Sequence, residues 1–307
     1  MKYIAYIISL TVFRILSILP RPLLYGISDF LYLWIYHIIG YRKKLATKNL
    51  RNAFPEYTEA GIKKTLRSFY HHFCDLFLES AISHYLPARK LDRMFRFTNP
   101  EVADRFYDRG KHVIFVIGHY NNWEWSIALS RTFRHQVLAI YKPLHNPYFD
   151  KALLRMRERY GSKGVPMKRI ARELLEADRN NQPTLTGFVA DQRPIWQHIQ
   201  YWTEFLGQPA PVFMGAEKLA VKFDAPVFFM KVTKVKRGMY QAELQPVTET
   251  PAQCKPYEIT EKHVRMLENT IREEPAYWLW THNRWKHSYR RYLEEHPDYP
   301  QKIERPR

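Results

Sequence analysis

Between residues 110 and 235 short apolar runs alternate with amphipathic ones, and that rhythm leaves few folds open. Val113–Ile117 (VIFVI) and residues 183–190 (PTLTGFVA) are rich in β-branched and aromatic residues, the composition of strands buried on both faces. Gln136–Tyr141 predicts another strand, closed by Pro143. Helical spacing fills the gaps at 123–133, 148–160, 168–179 and 214–223. Strands at 225–235 and 240–247 follow, with Gly238 near their turn, and then a helix at 258–273. Upstream, residues 58–86 read as one long helix ended by Pro87. Such alternation predicts an α/β layered domain with a mostly parallel central sheet flanked by helices.

The first forty residues read differently. Residues 3–19 are apolar apart from Arg14 and a few hydroxyls, and residues 23–39 form a second apolar stretch broken by Asp29 and His37. Each is near the lower limit for crossing a hydrocarbon layer of roughly 30 Å. In the second, Leu23, Leu24, Ile27, Phe30, Leu31, Trp34, Ile35 and Ile38 recur at helical spacing, with Ser28 and Asp29 opposite. That pattern favours a helix lying on a membrane or packed on a domain over a second span. Arg42, Lys43, Lys44, Lys48 and Arg51 follow and belong on the cytoplasmic side. The expected organisation is membrane-anchoring helices at 1–40, a main domain at 41–292, and a loose charged tail at 293–307.

With 48 Lys+Arg against 30 Asp+Glu, the chain carries a net charge of +18 and attracts polyanions: phosphorylated substrates, nucleic acid or an anionic membrane face. Aromatic residues at 15% suit a membrane interface and also suit base stacking, so composition leaves both open. Cys74 and Cys254 have no metal-like spacing and read as free thiols. No H-E-x-x-H spacing occurs, and we expect no metal.

The segment GHYNNWEW (118–125) closes the Val113–Ile117 run. Asn121 and Glu124 have the spacing of a capping box, which gives Glu124 a structural reason to exist. His119 has no such explanation. It falls at the carboxyl end of a buried strand, where ligands bind in open α/β sheets, and a histidine there can take a proton at neutral pH. Glu124 is a candidate to hold its tautomer, if the loop folds back.

IGHYNNWEW resembles the H-x-x-x-x-D/E motif of the lysophospholipid acyltransferase superfamily, in the branch of the bacterial lipid A late acyltransferases. YRKKLATKNLRNAFPE, with Asn49–Leu50 and Phe54–Glu56, is similar to that branch's early signature. YKPLHNPYFDKALLRMRERYG, the Asp191–Gln192 pair, TEFLGQPAPVFMGAEKLAVKFDAPVFF and YWLWTHNRWKH follow in the same order, so the resemblance spans roughly residues 20–287. The chain departs from it at Arg193, where the family often has Asp, and at Asn283 and Trp285 in the closing motif. Both departures bear on acceptor recognition.

The resemblance implies an inner-membrane enzyme, its catalytic domain on the cytoplasmic face, that moves a fatty acyl chain from an acyl carrier protein thioester to a hydroxyl of a lipid A precursor. His119 would be the general base and Glu124 its orienting acid, with no cofactor. The partners implied are acyl carrier protein, a phosphorylated glycolipid acceptor and an anionic membrane surface, not nucleic acid. In the basic stretch 151–172, Lys168 and Arg169, then Arg159, are the expected phosphate contacts, and Asp191 and Gln192 line the site. Arg284, Lys286, Arg290 and Arg291 form a second basic group expected to meet anionic lipid or the carrier. The same chemistry on another acceptor, a glycolipid, aminolipid or lysophospholipid, stays open, as does a non-catalytic basic membrane-binding protein.

Overall fold

The run VIFVI is buried at all its residues because it sits in the middle of a seven-stranded sheet, in a computed structural model that describes residues 2–299. The strands are β1 (Phe95–Phe97), β2 (Val113–Ile117), β3 (Gln136–Tyr141), β4 (Lys163–Pro166), β5 (Thr184–Val189), β6 (Tyr201–Phe205), β7 (Gln208–Val212), β8 (Val227–Lys236) and β9 (Met239–Thr248). Their order in the sheet is β1-β9-β8-β2-β5-β3-β4, with β6 and β7 forming a separate antiparallel hairpin. Every neighbouring pair in the large sheet is parallel except β8–β9. The mostly parallel layered sheet expected from the alternation is therefore present.

Helices cover both faces: α1 (Lys2–Ile18), α2 (Arg21–Tyr32), α3 (Lys43–Ala53), α4 (Glu59–Ile82), α5 (Ala88–Met94), α6 (Glu101–Tyr107), α7 (Leu129–Thr132), α8 (Pro147–Glu158), α9 (Ile170–Arg179), α10 (Gly215–Phe223), α11 (Glu258–Glu273) and α12 (Tyr289–Glu295). The side-chain alternation of β2 splits the core in two. Ile114 and Val116 join the cluster that includes residues of α3, α9, α10 and α11, whereas Val113, Phe115 and Ile117 join the one that includes residues of α5 and α6.

The second apolar stretch forms α2 and runs on as a π-helical segment, Leu33–Ile39. Together, Arg21–Ile39 is long and apolar enough to cross a membrane by length and composition; Tyr3–Ile18 is apolar but shorter. One face of this helix is docked: Ser28 Oγ donates to Asp75 Oδ1 at 2.7 Å and Tyr25 Oη to Glu79 Oε1 at 2.8 Å, both on α4. Its other face exposes Leu23, Phe30, Leu33, Trp34, Ile38 and Ile39.

Three local expectations are corrected. Residues 123–133 are not one α-helix but a 3-10 segment, Trp123–Ala128, followed by the single turn of α7. The short strands β1 and β4 and the Pro-rich hairpin β6–β7 lie where no strand was expected. The tail from 293 begins inside α12, which Tyr292 and Tyr299 pack against Trp202 and its neighbours; residues 300–307 lie outside the described residues.

Candidate active site

Gly118 carries the chain from β2 into the site through a space only glycine fits: a Cβ there would stand 2.7 Å from Leu267 and 3.4 Å from Asp191 Oδ2. Ile117 of β2 pairs with Val189 of β5. Two residues beyond each of those strand positions, His119 and Asp191 therefore meet side by side. His119 Nδ1 lies 2.6 Å from Asp191 Oδ1, and the His119 backbone N–H donates to Asp191 Oδ2 at 2.9 Å. Trp278 Nε1 donates to the same Oδ2 at 2.7 Å. An ionised carboxylate accepts only, so Nδ1 carries the proton and Nε2 keeps its lone pair. The side-chain amide of Gln192 stands 3.1 Å from Nε2 and can donate to it.

The electrostatics follow from that packing. Burial works against the imidazolium of His119, but the charge and hydrogen bond of Asp191 outweigh it, and the pKa is raised above the ordinary histidine value. Burial likewise works against the Asp191 carboxylate, yet the charge of His119 and the donors around it hold its pKa down, at about 2.

Glu124 lines the same cavity as His119 but does not hold the ring. Its charge adds only a smaller push on His119, and the orienting partner is Asp191. The reason is local. Asn121 does not cap; it adopts a left-handed φ of 50° and gives its side-chain amide to Val232 O at 2.7 Å. The cap is Asn122, whose Oδ1 accepts from Trp125 N while Nδ2 donates to Glu79. The N-cap is thus one residue later, with Trp125 at the position where a capping box needs an acid, and Glu124 takes no part in the cap.

His119, Trp123 and Glu124 line one part of a cavity of about 560 Å³ whose wall includes Phe115, Ile117, Ile127, Val137, Ile140, Phe188 and Leu219. Gly187 makes room for the Phe115 ring, which a Cβ would meet at 2.3 Å. Among the described residues three cations, Lys142, Arg157 and Lys218, join Glu124, Ser126 and Ser162 in this mostly apolar wall. The Nη1 of Arg157 is buried with no hydrogen-bond partner among the described residues. The expected phosphate contacts lie elsewhere. Arg169 is paired with Glu173, Arg159 is exposed and outside the cavity lining, and Lys168 is exposed beside the lining residue Met167.

Of the second basic group, Arg284 is not a surface residue, being 1% exposed, and Arg290 and Arg291 pair along α12 with Glu294 and Glu295. Among the described residues no cluster of three or more His, Cys, Asp and Glu side chains is arranged to hold a metal ion. Sequence reasoning missed Trp278 as a partner of Asp191; its place in the closing segment was the signal. Asn49 also gains a reason, since its amide donates to the carbonyls of Trp280 and His282 and ties the early segment to the closing one.

No curated protein matches this chain. Among solved structures it is similar to the 1-acyl-sn-glycerophosphate (LPA) acyltransferase of Thermotoga maritima, at 16% identity and a TM-score of 0.37, over 84% of this chain and 98% of that one. The family model described as bacterial lipid A biosynthesis acyltransferase matches residues 1–287. By that match the chain belongs to the bacterial lipid A biosynthesis acyltransferases.

Proposed function

We propose that this chain transfers a fatty acyl group from an acyl carrier protein thioester to a hydroxyl of a phosphorylated lipid A precursor, with His119 as general base. The observation that carries the reading is a histidine whose Nδ1 is pinned by buried Asp191 and which borders an apolar cavity of about 560 Å³. Such a cavity suits an acyl chain.

In the reaction the acceptor hydroxyl displaces the Gln192 amide from His119 Nε2. Nε2 takes its proton as the oxygen attacks the thioester carbonyl. The tetrahedral intermediate then collapses, the C–S bond breaks, and the thiolate leaves with that proton from the imidazolium. Asp191 stabilises the imidazolium between the two steps, as a carboxylate does in hydrolase triads. Lys142, Arg157 and Lys218, with exposed Lys168 beside Met167, supply positive charge for acceptor phosphate and carrier.

On this reading the enzyme works on the cytoplasmic face of the inner membrane. The exposed apolar faces of α1 and α2 rest in the lipid interface. A spanning α2 would take the Asp29–Arg237 pair, 2.5 Å apart, and the Ser28–Asp75 bond into hydrocarbon, which charged groups resist. Arg193, which donates to Asn283 O and lies 3.1 Å from His287 Nε2, stands next to Gln192 where the family often has an acid, so acceptor choice is the point to test.

The test offers acyl carrier protein thioesters with a Kdo-bearing tetra-acyl precursor, another glycolipid, an aminolipid or a lysophospholipid. Turnover of the lipid A precursor is expected, lowered roughly 10²–10⁴-fold in His119→Ala with donor binding retained. Turnover of the other lipids alone would move the acceptor class, and unchanged transfer by His119→Ala would remove the base.

A further inference from the structure

We propose that Arg284 is a positioning residue of this site: a buried guanidinium that balances Asp191 and so keeps His119 a base. The inference rests on His119 acting as the base. Arg284 is 1% exposed, yet its Nε and Nη1 meet no hydrogen-bond partner among the described residues. The Phe205 ring lies 5.4 Å from the guanidinium carbon. An arginine in such a place needs a counter-charge, because an unpaired buried ion is strongly destabilising. Asp191 provides it. Both residues line one internal cavity of about 10 Å³, which has room for a single water to link them.

The neighbouring groups leave that role to Arg284. His119 is faced by Asp191, Glu124, Trp123 and the Gln192 amide. Asp191 is faced by Trp278, and His263 from α11 lines the small cavity with it. His282 and Arg193 stand close enough to feel the same charges. Burial pulls His263 and His282 down to about 4, so both are neutral at pH 7. Arg193 is engaged by Asn283 and His287. Burial also lowers the pKa of Arg284, to about 10, and it remains a cation at neutral pH.

The consequence concerns the imidazole. The carboxylate 2.6 Å from Nδ1 favours the imidazolium, and burial of the ring does not cancel that pull. A base must be unprotonated when the substrate arrives. Arg284 offsets part of the pull of Asp191, and the pair keeps its orienting bond without saturating the base.

The test titrates the His119 ring by NMR in the full-length, histidine-labelled protein, its signal assigned with His119→Gln, beside the pH profile of kcat/KM. Arg284→Met is expected to raise the His119 pKa by about one unit. The acid limb of kcat/KM should move up by the same amount, with KM for donor and acceptor within about twofold and activity recovering at high pH. Arg284→Lys, which keeps the charge, should return both readings towards wild type. An unmoved His119 titration in Arg284→Met, with activity lost equally at every pH, would reduce Arg284 to a packing role. Should the Met variant not fold, Arg284→Gln, which removes the charge but keeps a polar side chain, decides: a His119 pKa raised by about one unit supports the proposal, and an unmoved one overturns it. If the wild-type acid limb and the His119 titration do not coincide, the base assignment fails instead, and the effect of Arg284 on the ring still stands or falls by itself.

Discussion

Two carboxylates buried in this molecule are driven in opposite directions. Asp191 is 6% exposed and Glu79 is 0% exposed, so burial favours the protonated acid in both. Asp191 is nevertheless held at about 2, whereas Glu79 rises to about 7. Glu79 accepts from Tyr25, Tyr240 and Asn122, three neutral donors, and Asp75 one turn away adds a like charge. Asp191 has two N–H donors as well, but it also faces an imidazole that can carry charge. Neutral donors do not offset burial here; a cationic partner does. The difference separates a carboxylate arranged to stay charged for chemistry from one that ties α2, β9 and the loop before Trp123 to α4.

The largest expected effect breaks the first of the pair. Asp191→Asn leaves the packing nearly unchanged but removes the acceptor that fixes Nδ1–H, and kcat should fall by roughly 10³–10⁴-fold with little change in KM. Steady-state kinetics with the lipid A precursor as acceptor checks it.

Glu79→Gln sharpens the second. A carboxyl group whose folded pKa is raised stabilises the fold fully below its ordinary value of 4.5 and loses that contribution as pH rises through about 7. Melting temperature should therefore fall from pH 5 to pH 8 in the wild type, by an amount equivalent to a few kcal/mol. The slope should flatten in Glu79→Gln, and an unchanged slope would mean that another group carries it. Asp191 works in the reverse sense: its depressed pKa contributes stability above 3.8 that is lost only as pH falls towards 2. At the small end, Arg290→Ala removes an exposed pair with Glu294 and should leave melting temperature and activity unmoved.

Much of the fold was legible because its signals are local. The buried run Val113–Ile117, the amphipathic helices and the glycine at 118 each announce themselves within a few residues. What the sequence could not tell was which strand lies beside which. His119 and Asp191 are 72 residues apart, and only the pairing of Ile117 with Val189 makes them neighbours. Glu124 is the nearer carboxylate in sequence and fills the acidic position of the H-x-x-x-x-D/E motif, so the sequence points to it for the orienting role. Arg284 looked like surface charge because arginine so seldom lies fully inside a protein. The β6–β7 hairpin was hidden by Pro209 and Pro211, which mark the edge-strand setting where the ladder tolerates proline.

The most direct test of the central claim is the proton on the His119 ring. Nitrogen-15 NMR of the labelled protein near pH 7 should show a hydrogen-bonded, downfield-shifted proton on Nδ1. That proton should vanish in Asp191→Asn and persist in Glu124→Gln. Its loss in Glu124→Gln and survival in Asp191→Asn would return the orienting role to the glutamate and contradict the assignment of Asp191 as the partner of His119.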